Sequence, residues 1–170
     1  MKIKSVLFNI IAFLFVLVGC TNDTEQSKED IKSMIQDYST DQLTASSASV
    51  NATQLTVEDE DKVDIYPMPE DEFFVSIAPY VNETHPCTFH SLTGCQGELV
   101  KKPFDIYIED MDGNVVFDDT VESFDNGFVD LWLPRDQEFN ATITYDNKQA
   151  TSTISTFEND PTCITTMRLM

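Results

Sequence analysis

The chain has 170 residues, 41% of them apolar, with 30 acidic and 10 basic side chains for a formal charge of −20. A surface this acidic repels a phosphate backbone, which excludes a nucleic-acid binder, and the apolar fraction suffices for the core of one compact domain. Most of the carboxylates are scattered and read as solvated faces.

Met1-Lys2-Ile3-Lys4 is a short basic start, residues 6–18 are apolar except for Asn9, and Gly19-Cys20 follows. The pattern reads as a secretory signal peptide, since the apolar run is too short for a permanent transmembrane helix and a small residue before Cys20 suits cleavage there. Leu17-Val18-Gly19-Cys20 resembles a bacterial lipobox, whose cysteine takes a diacylglycerol and becomes the first residue of the mature protein. Loss of residues 1–19 removes Lys2 and Lys4 and no acid, so the formal charge becomes −22.

The polar residues 20–30 are expected to form a lipid-anchored linker, and residues 31–48 a short helical lead in which Ile31, Met34, Ile35 and Tyr38 recur at helical spacing. From residue 49 the apolar pattern changes to period two. Strands are expected at 50–57, 73–78, 104–109, 115–117, 128–133, 141–145, 151–157 and 163–169, with turns at Asp112-Gly113, Asn126-Gly127 and Asp146-Asn147. Short strands without βαβ spacing predict a mainly β fold, an antiparallel β-sandwich over residues 49–170 with a short N-terminal helix. Asp110-Met111-Asp112-Gly113-Asn114 has its glycine in the wrong register for a calcium loop and reads as a hairpin turn. The Asn-x-Thr triplets at Asn22, Asn51, Asn82 and Asn140 carry no meaning behind a bacterial lipobox.

Chemistry concentrates in His85-Pro86-Cys87-Thr88-Phe89-His90-Ser91-Leu92-Thr93-Gly94-Cys95-Gln96-Gly97, which holds both histidines and two of the four cysteines. Cys87, His90 and Cys95 form C-x2-H-x4-C among residues that favour tight turns, and Cys163 would complete a set of three sulfurs and one imidazole. Thiolates are soft ligands that select Cu(I) or Zn(II), and imidazole suits both. Copper is the expected metal and zinc the alternative at the same site. Copper also gives unpaired thiols a reason to exist outside the cytoplasm, because they can reduce Cu(II) while forming a disulfide. Against this stand a Cys87 to Cys95 disulfide in a purely structural module and a thiol-disulfide redox protein, the latter lacking C-x-x-C on a βαβ frame. Met68, Met111 and Met167 could add thioethers, with Met167 on the strand face of Cys163, but core packing is the commoner use. Ser91 beside His90 is not a hydrolytic triad, and no catalytic residues are assigned.

Four separated blocks agree in order and spacing with one family: residues 73–80, 84–99, 126–134 and 162–166. They resemble the CueP family of extracytoplasmic bacterial copper-binding proteins over residues 49–169. The resemblance implies a copper-resistance protein that sequesters copper, reduces Cu(II) to Cu(I) and passes the ion to secreted copper enzymes. It maps metal ligands onto Cys87, His90, Cys95 and Cys163, with His85 as a supporting or transient ligand. The lipobox departs from the family's periplasmic members and implies retention at the extracytoplasmic face of the cell membrane through the lipid on Cys20.

Overall fold

The computed structural model describes residues 21–170; the signal peptide expected over residues 1–19 and the lipidation expected at Cys20 lie outside them. One helix, α1 (Thr21–Ser39), precedes β1 (Ser47–Val50), β2 (Gln54–Asp59), β3 (Lys62–Pro67), β4 (Glu72–Ile77), β5 (His90–Ser91) and β6 (Pro103–Asp110). The chain continues through β7 (Val115–Glu122), β8 (Val129–Pro134), β9 (Glu138–Tyr145), β10 (Lys148–Ser155) and β11 (Cys163–Ile164).

The strands form three sheets, ordered β3-β2-β1-β5, β10-β9-β6-β7 and β11-β4-β8. The four-stranded β10-β9-β6-β7 sheet packs on one face of β11-β4-β8, with Phe73, Val75 and Ile77 of β4 meeting Phe104, Ile106, Phe139 and Ile143. On the opposite face Phe74 of β4 packs with Ile31 and Ile35 of α1 and with Val50 and Leu55 of the β3-β2-β1-β5 sheet. Covered on both faces, β4 reads as the continuous apolar run Phe-Phe-Val-Ser-Ile and has five successive buried residues. The architecture is therefore the expected sandwich, thickened by a third layer.

Three local features differ from the sequence reading. The helix starts at Thr21, taking in the stretch read as a linker, because Ile31 and Ile35 anchor its later turns and the polar residues before them extend it in register. The strand expected over 50–57 is two strands: Asn51 turns the chain, its side-chain oxygen accepting from the Thr53 and Gln54 amides at 2.9 Å each. β3 was hidden behind the acidic run Glu58-Asp59-Glu60-Asp61, and as an edge strand it leaves Val63 57% and Ile65 59% exposed.

Two of the turns behave as read. Asp146 and Asn147 both adopt positive φ in the β9–β10 hairpin, and Asp110 accepts from the Asp112 and Asn114 amides in the β6–β7 turn. The last expected strand, 163–169, ends at Ile164. Beyond it Met167 drops into the core between the sheets, while Cys163 joins a separate cluster with Ala78, Cys95 and Phe128. Met68 lies in the helix-side core and Met111 is exposed, so the structure places none of these three thioethers in the cysteine cluster.

Ile35→Ala should lower the unfolding free energy by about 2–4 kcal/mol in urea titration, the usual loss for a buried isoleucine. A loss below about 0.5 kcal/mol, the scale of ordinary surface substitutions, would mean that α1 is not docked on the sandwich.

Candidate metal centre

The segment between β4 and β6 folds back through β5, which pairs with the edge of β1 in the register Val50↔His90 and Ser49↔Ser91. That pairing buries the His90 ring completely. Cys163 arrives from the far end of the chain on β11, parallel to β4 and opposite Ser76. Its amide donates to the Thr88 carbonyl at 3.2 Å, tying β11 directly to the motif.

Thr162 completes this junction. Its hydroxyl donates to the Val50 carbonyl at 2.6 Å and accepts the His90 amide at 3.1 Å, so one buried side chain joins β1, β5 and the start of β11. Sequence reasoning gave Thr162 no role, although it sits directly before Cys163.

The glycines act through close approach. Gly97 donates its amide to the Asn126 carbonyl at 2.7 Å, and a Cβ on Gly97 would stand 2.7 Å from the Gly127 carbonyl oxygen. Gly127 itself has φ +78°. Only glycine fits both positions, and their contact brings Phe128 up against Cys95. Glu98 fastens the preceding turn by accepting from the Val81 and Asn82 amides at 2.6 and 3.0 Å. Desolvation opposes the charged carboxylate, but the amide donors outweigh it and hold Glu98 down at about 2.

The result is a cluster of three free thiols, Cys87, Cys95 and Cys163, with sulfurs within 4.8 Å of one another and the Cys87–Cys95 pair at 3.5 Å. Sulfurs about 2.3 Å from a single ion lie roughly 4 Å apart, so small side-chain adjustments would close this set on a metal. Cys87 is half-buried; the other two are buried. A disulfide is therefore not the state described, although its two sulfurs are neighbours.

The thiols share protons unequally. Cys95 is drawn down to about 3, chiefly by the neighbouring Cys163 thiol and then, against the cost of burial, by the nearby His90 imidazole. Cys163 is pushed up, first by its bond to Cys95 and then by burial, while burial is the main force raising Cys87.

The His90 ring packs tilted against Phe128 at 4.5 Å and Phe74 at 6.2 Å between centroids, and neither ring nitrogen meets a hydrogen-bond partner among the described residues. An imidazole buried this way leaves polar capacity unused, a cost of about 1–3 kcal/mol that a bound ion would remove. His85 lies across Phe128 at 6.3 Å, half-buried, with Nε2 also unpartnered. It borders a cavity of about 270 Å³ lined by Glu83, Thr84, Gln96, Gly97 and Glu98. The structure thus gathers the three cysteines predicted from sequence; His90 lies near Cys95 but outside the set of ligand atoms within 4.8 Å of one another, and His85 packs half-buried against Phe128.

Thr162→Val keeps the side-chain shape and removes both hydroxyl bonds, so stability should fall by about 2–3 kcal/mol and copper affinity with it. Unchanged thermal unfolding and unchanged copper retention would show that β11 is located by strand pairing alone.

A family described as periplasmic copper-binding protein CueP matches residues 30–168 of the chain. The crystal structure of S.CueP is similar at 35% identity and a TM-score of 0.78, over 82% of this chain and 89% of that one. Among curated proteins, a search finds no match.

Proposed function

The chain belongs to the CueP family of copper-binding proteins, and we propose that it sequesters copper at the cell envelope through Cys87, Cys95 and Cys163 with His90 as nitrogen ligand. The observation that carries this reading is the convergence of three free thiols within 4.8 Å beside a fully buried imidazole whose nitrogens have no partner among the described residues. Soft sulfur donors favour Cu(I), and zinc is the natural competitor for the same set.

The spacing of the Cys87 and Cys95 sulfurs supports a reductive role as well. Two Cu(II) ions would each take one electron; the Cys87 and Cys95 sulfurs join, the Cys87 proton leaves to solvent, and two Cu(I) ions result. Cys163 and His90 then remain to hold Cu(I), and a thiol-redox partner must return two electrons to reopen the disulfide. His85, beside its cavity, serves as a transient ligand on the way in or out. A secreted copper enzyme is the acceptor this chemistry suits.

Anchoring follows from Cys20 rather than from a membrane span, since no helix among the described residues is long and apolar enough to cross a bilayer. Labelled palmitate should be incorporated by the native protein and not by Cys20→Ser, which should appear in the medium. Equal labelling of both would overturn the anchor.

Anaerobic titration with Cu(I) against a chromogenic chelator should show tight retention, with protons released as the thiols that become ligands ionise. Cys95→Ser should weaken binding roughly 100-fold or more, about 2.7 kcal/mol, with the fold retained. His90→Ala should cost more affinity than His85→Ala. Loss of fold without a specific loss of copper would instead favour a structural role for the cysteines, and equal effects of the two histidines would overturn their ranking.

A further inference from the structure

A buried metal-bound imidazole needs an acceptor for its second nitrogen; neither His90 nitrogen has one among the described residues, and the strand register indicates which carboxylate lies on the side of the sheet that the ring covers. On β4 and β8 the paired rows are Phe74↔Trp132 and Ser76↔Asp130, and Phe128 comes two residues before Asp130 on the same side of its strand. His90 packs against Phe74 in one row and against Phe128 beyond the other. Its ring therefore lies diagonally across the Ser76–Asp130 pair. Cys163 is opposite Ser76 on the third strand, so Cys163, Ser76 and Asp130 form one row across the sheet beneath the imidazole.

Asp130 is an aspartate in the apolar strand Val-Asp-Leu-Trp-Leu, at the edge of a cleft of about 450 Å³ under α1. Its carboxylate accepts from Ser76 Oγ at 2.5 Å and from Ser39 Oγ at 2.7 Å, and forms no ion pair with lysine or arginine among the described residues. Each oxygen keeps a lone pair for another donor. Desolvation raises the Asp130 carboxyl, while the electrostatic influence of the nearby His90 ring and the two hydroxyls work the other way.

We propose that Asp130 is a positioning residue of the copper site, accepting a hydrogen bond from the His90 nitrogen turned away from the metal and so fixing the ring's tautomer and its aim at the cysteines. This rests on the reading of His90 as a ligand. Carboxylate–imidazole–metal relays raise ligand basicity and hold the ring in place, and loss of the outer partner typically costs about 10- to 100-fold in metal affinity. Through Ser39 the same carboxylate also ties the end of α1 to the sheet that presents Cys163.

The test is nitrogen-15 NMR of histidine-labelled, Cu(I)-loaded protein, with Asp130→Asn and His90→Ala in parallel. The native protein should show one His90 ring nitrogen bound to metal and the other carrying a downfield proton protected from exchange. Asp130→Asn, folded by circular dichroism, should lose that protection and about 10- to 100-fold in Cu(I) affinity. An unchanged ring spectrum and unchanged affinity would overturn the proposal, while a purely structural role would lower stability without altering the ring signals. If Asp130→Asn does not fold, the native spectrum decides: a rapidly exchanging ring proton, indicating water as the partner, overturns the proposal, and a protected one supports it. Unaltered copper affinity in His90→Ala would overturn the ligand reading itself, separating that failure from this one.

Discussion

The hydroxyl of Thr162 is the interaction on which the rest of the site depends. It takes the His90 amide and gives to the Val50 carbonyl, linking segments 72 and 112 residues away along the chain. That junction ties β5, a two-residue strand on a sheet edge, to β11, a two-residue strand beside β4, where each strand's own backbone pairing is short. Held together, they bring a thiol into the cysteine cluster and bury an imidazole near it. Gly97 and Gly127 supply the opposing wall by allowing two backbones to touch.

The central sheet explains why those pieces can meet. β4 is covered on one face by the β10-β9-β6-β7 sheet and on the other by α1 and the first sheet, so it is a fixed reference for both layers. Its even-numbered side chains, Phe74 and Ser76, and Ala78 beyond its end face the site, while its odd-numbered ones fill the main core. The period-two alternation of a single strand thus divides stability from chemistry.

Much of this was legible in the sequence and some of it could not be. The clean alternation of Phe104, Ile106 and Ile108 announced a strand with one face inside, and all three are buried as expected. The motif itself stood out because both histidines fall within five residues of a cysteine. Residues 21–30, by contrast, have no apolar stripe to mark a helix, and β3 turns its apolar side chains outward, against the pattern on which strand recognition relies. Thr162 and Asp130 were invisible for a different reason. A threonine before a cysteine and an aspartate within a strand acquire meaning only from partners distant in sequence, which pairing register reveals and composition does not.

The electrostatics of the interior oppose those of the surface. Outside, excess carboxylates keep the molecule soluble and raise the local concentration of cations only weakly, an effect screened by salt within about 8 Å at physiological ionic strength. Inside, three thiols converge near a buried imidazole whose nitrogens have no hydrogen-bond partner among the described residues. Such a site gains more from a soft metal ion than from water, because thiolates are soft ligands and the ion takes the place of protons on the sulfurs. Copper bound to the folded chain and not to the unfolded one would then add to stability by mass action, roughly 4.1 kcal/mol when free ion stands at 1,000 times its dissociation constant. The frustration stored around His90 and Cys95 is thus the local counterpart of affinity: a core packed without it would be more stable empty and would have less to gain from the metal.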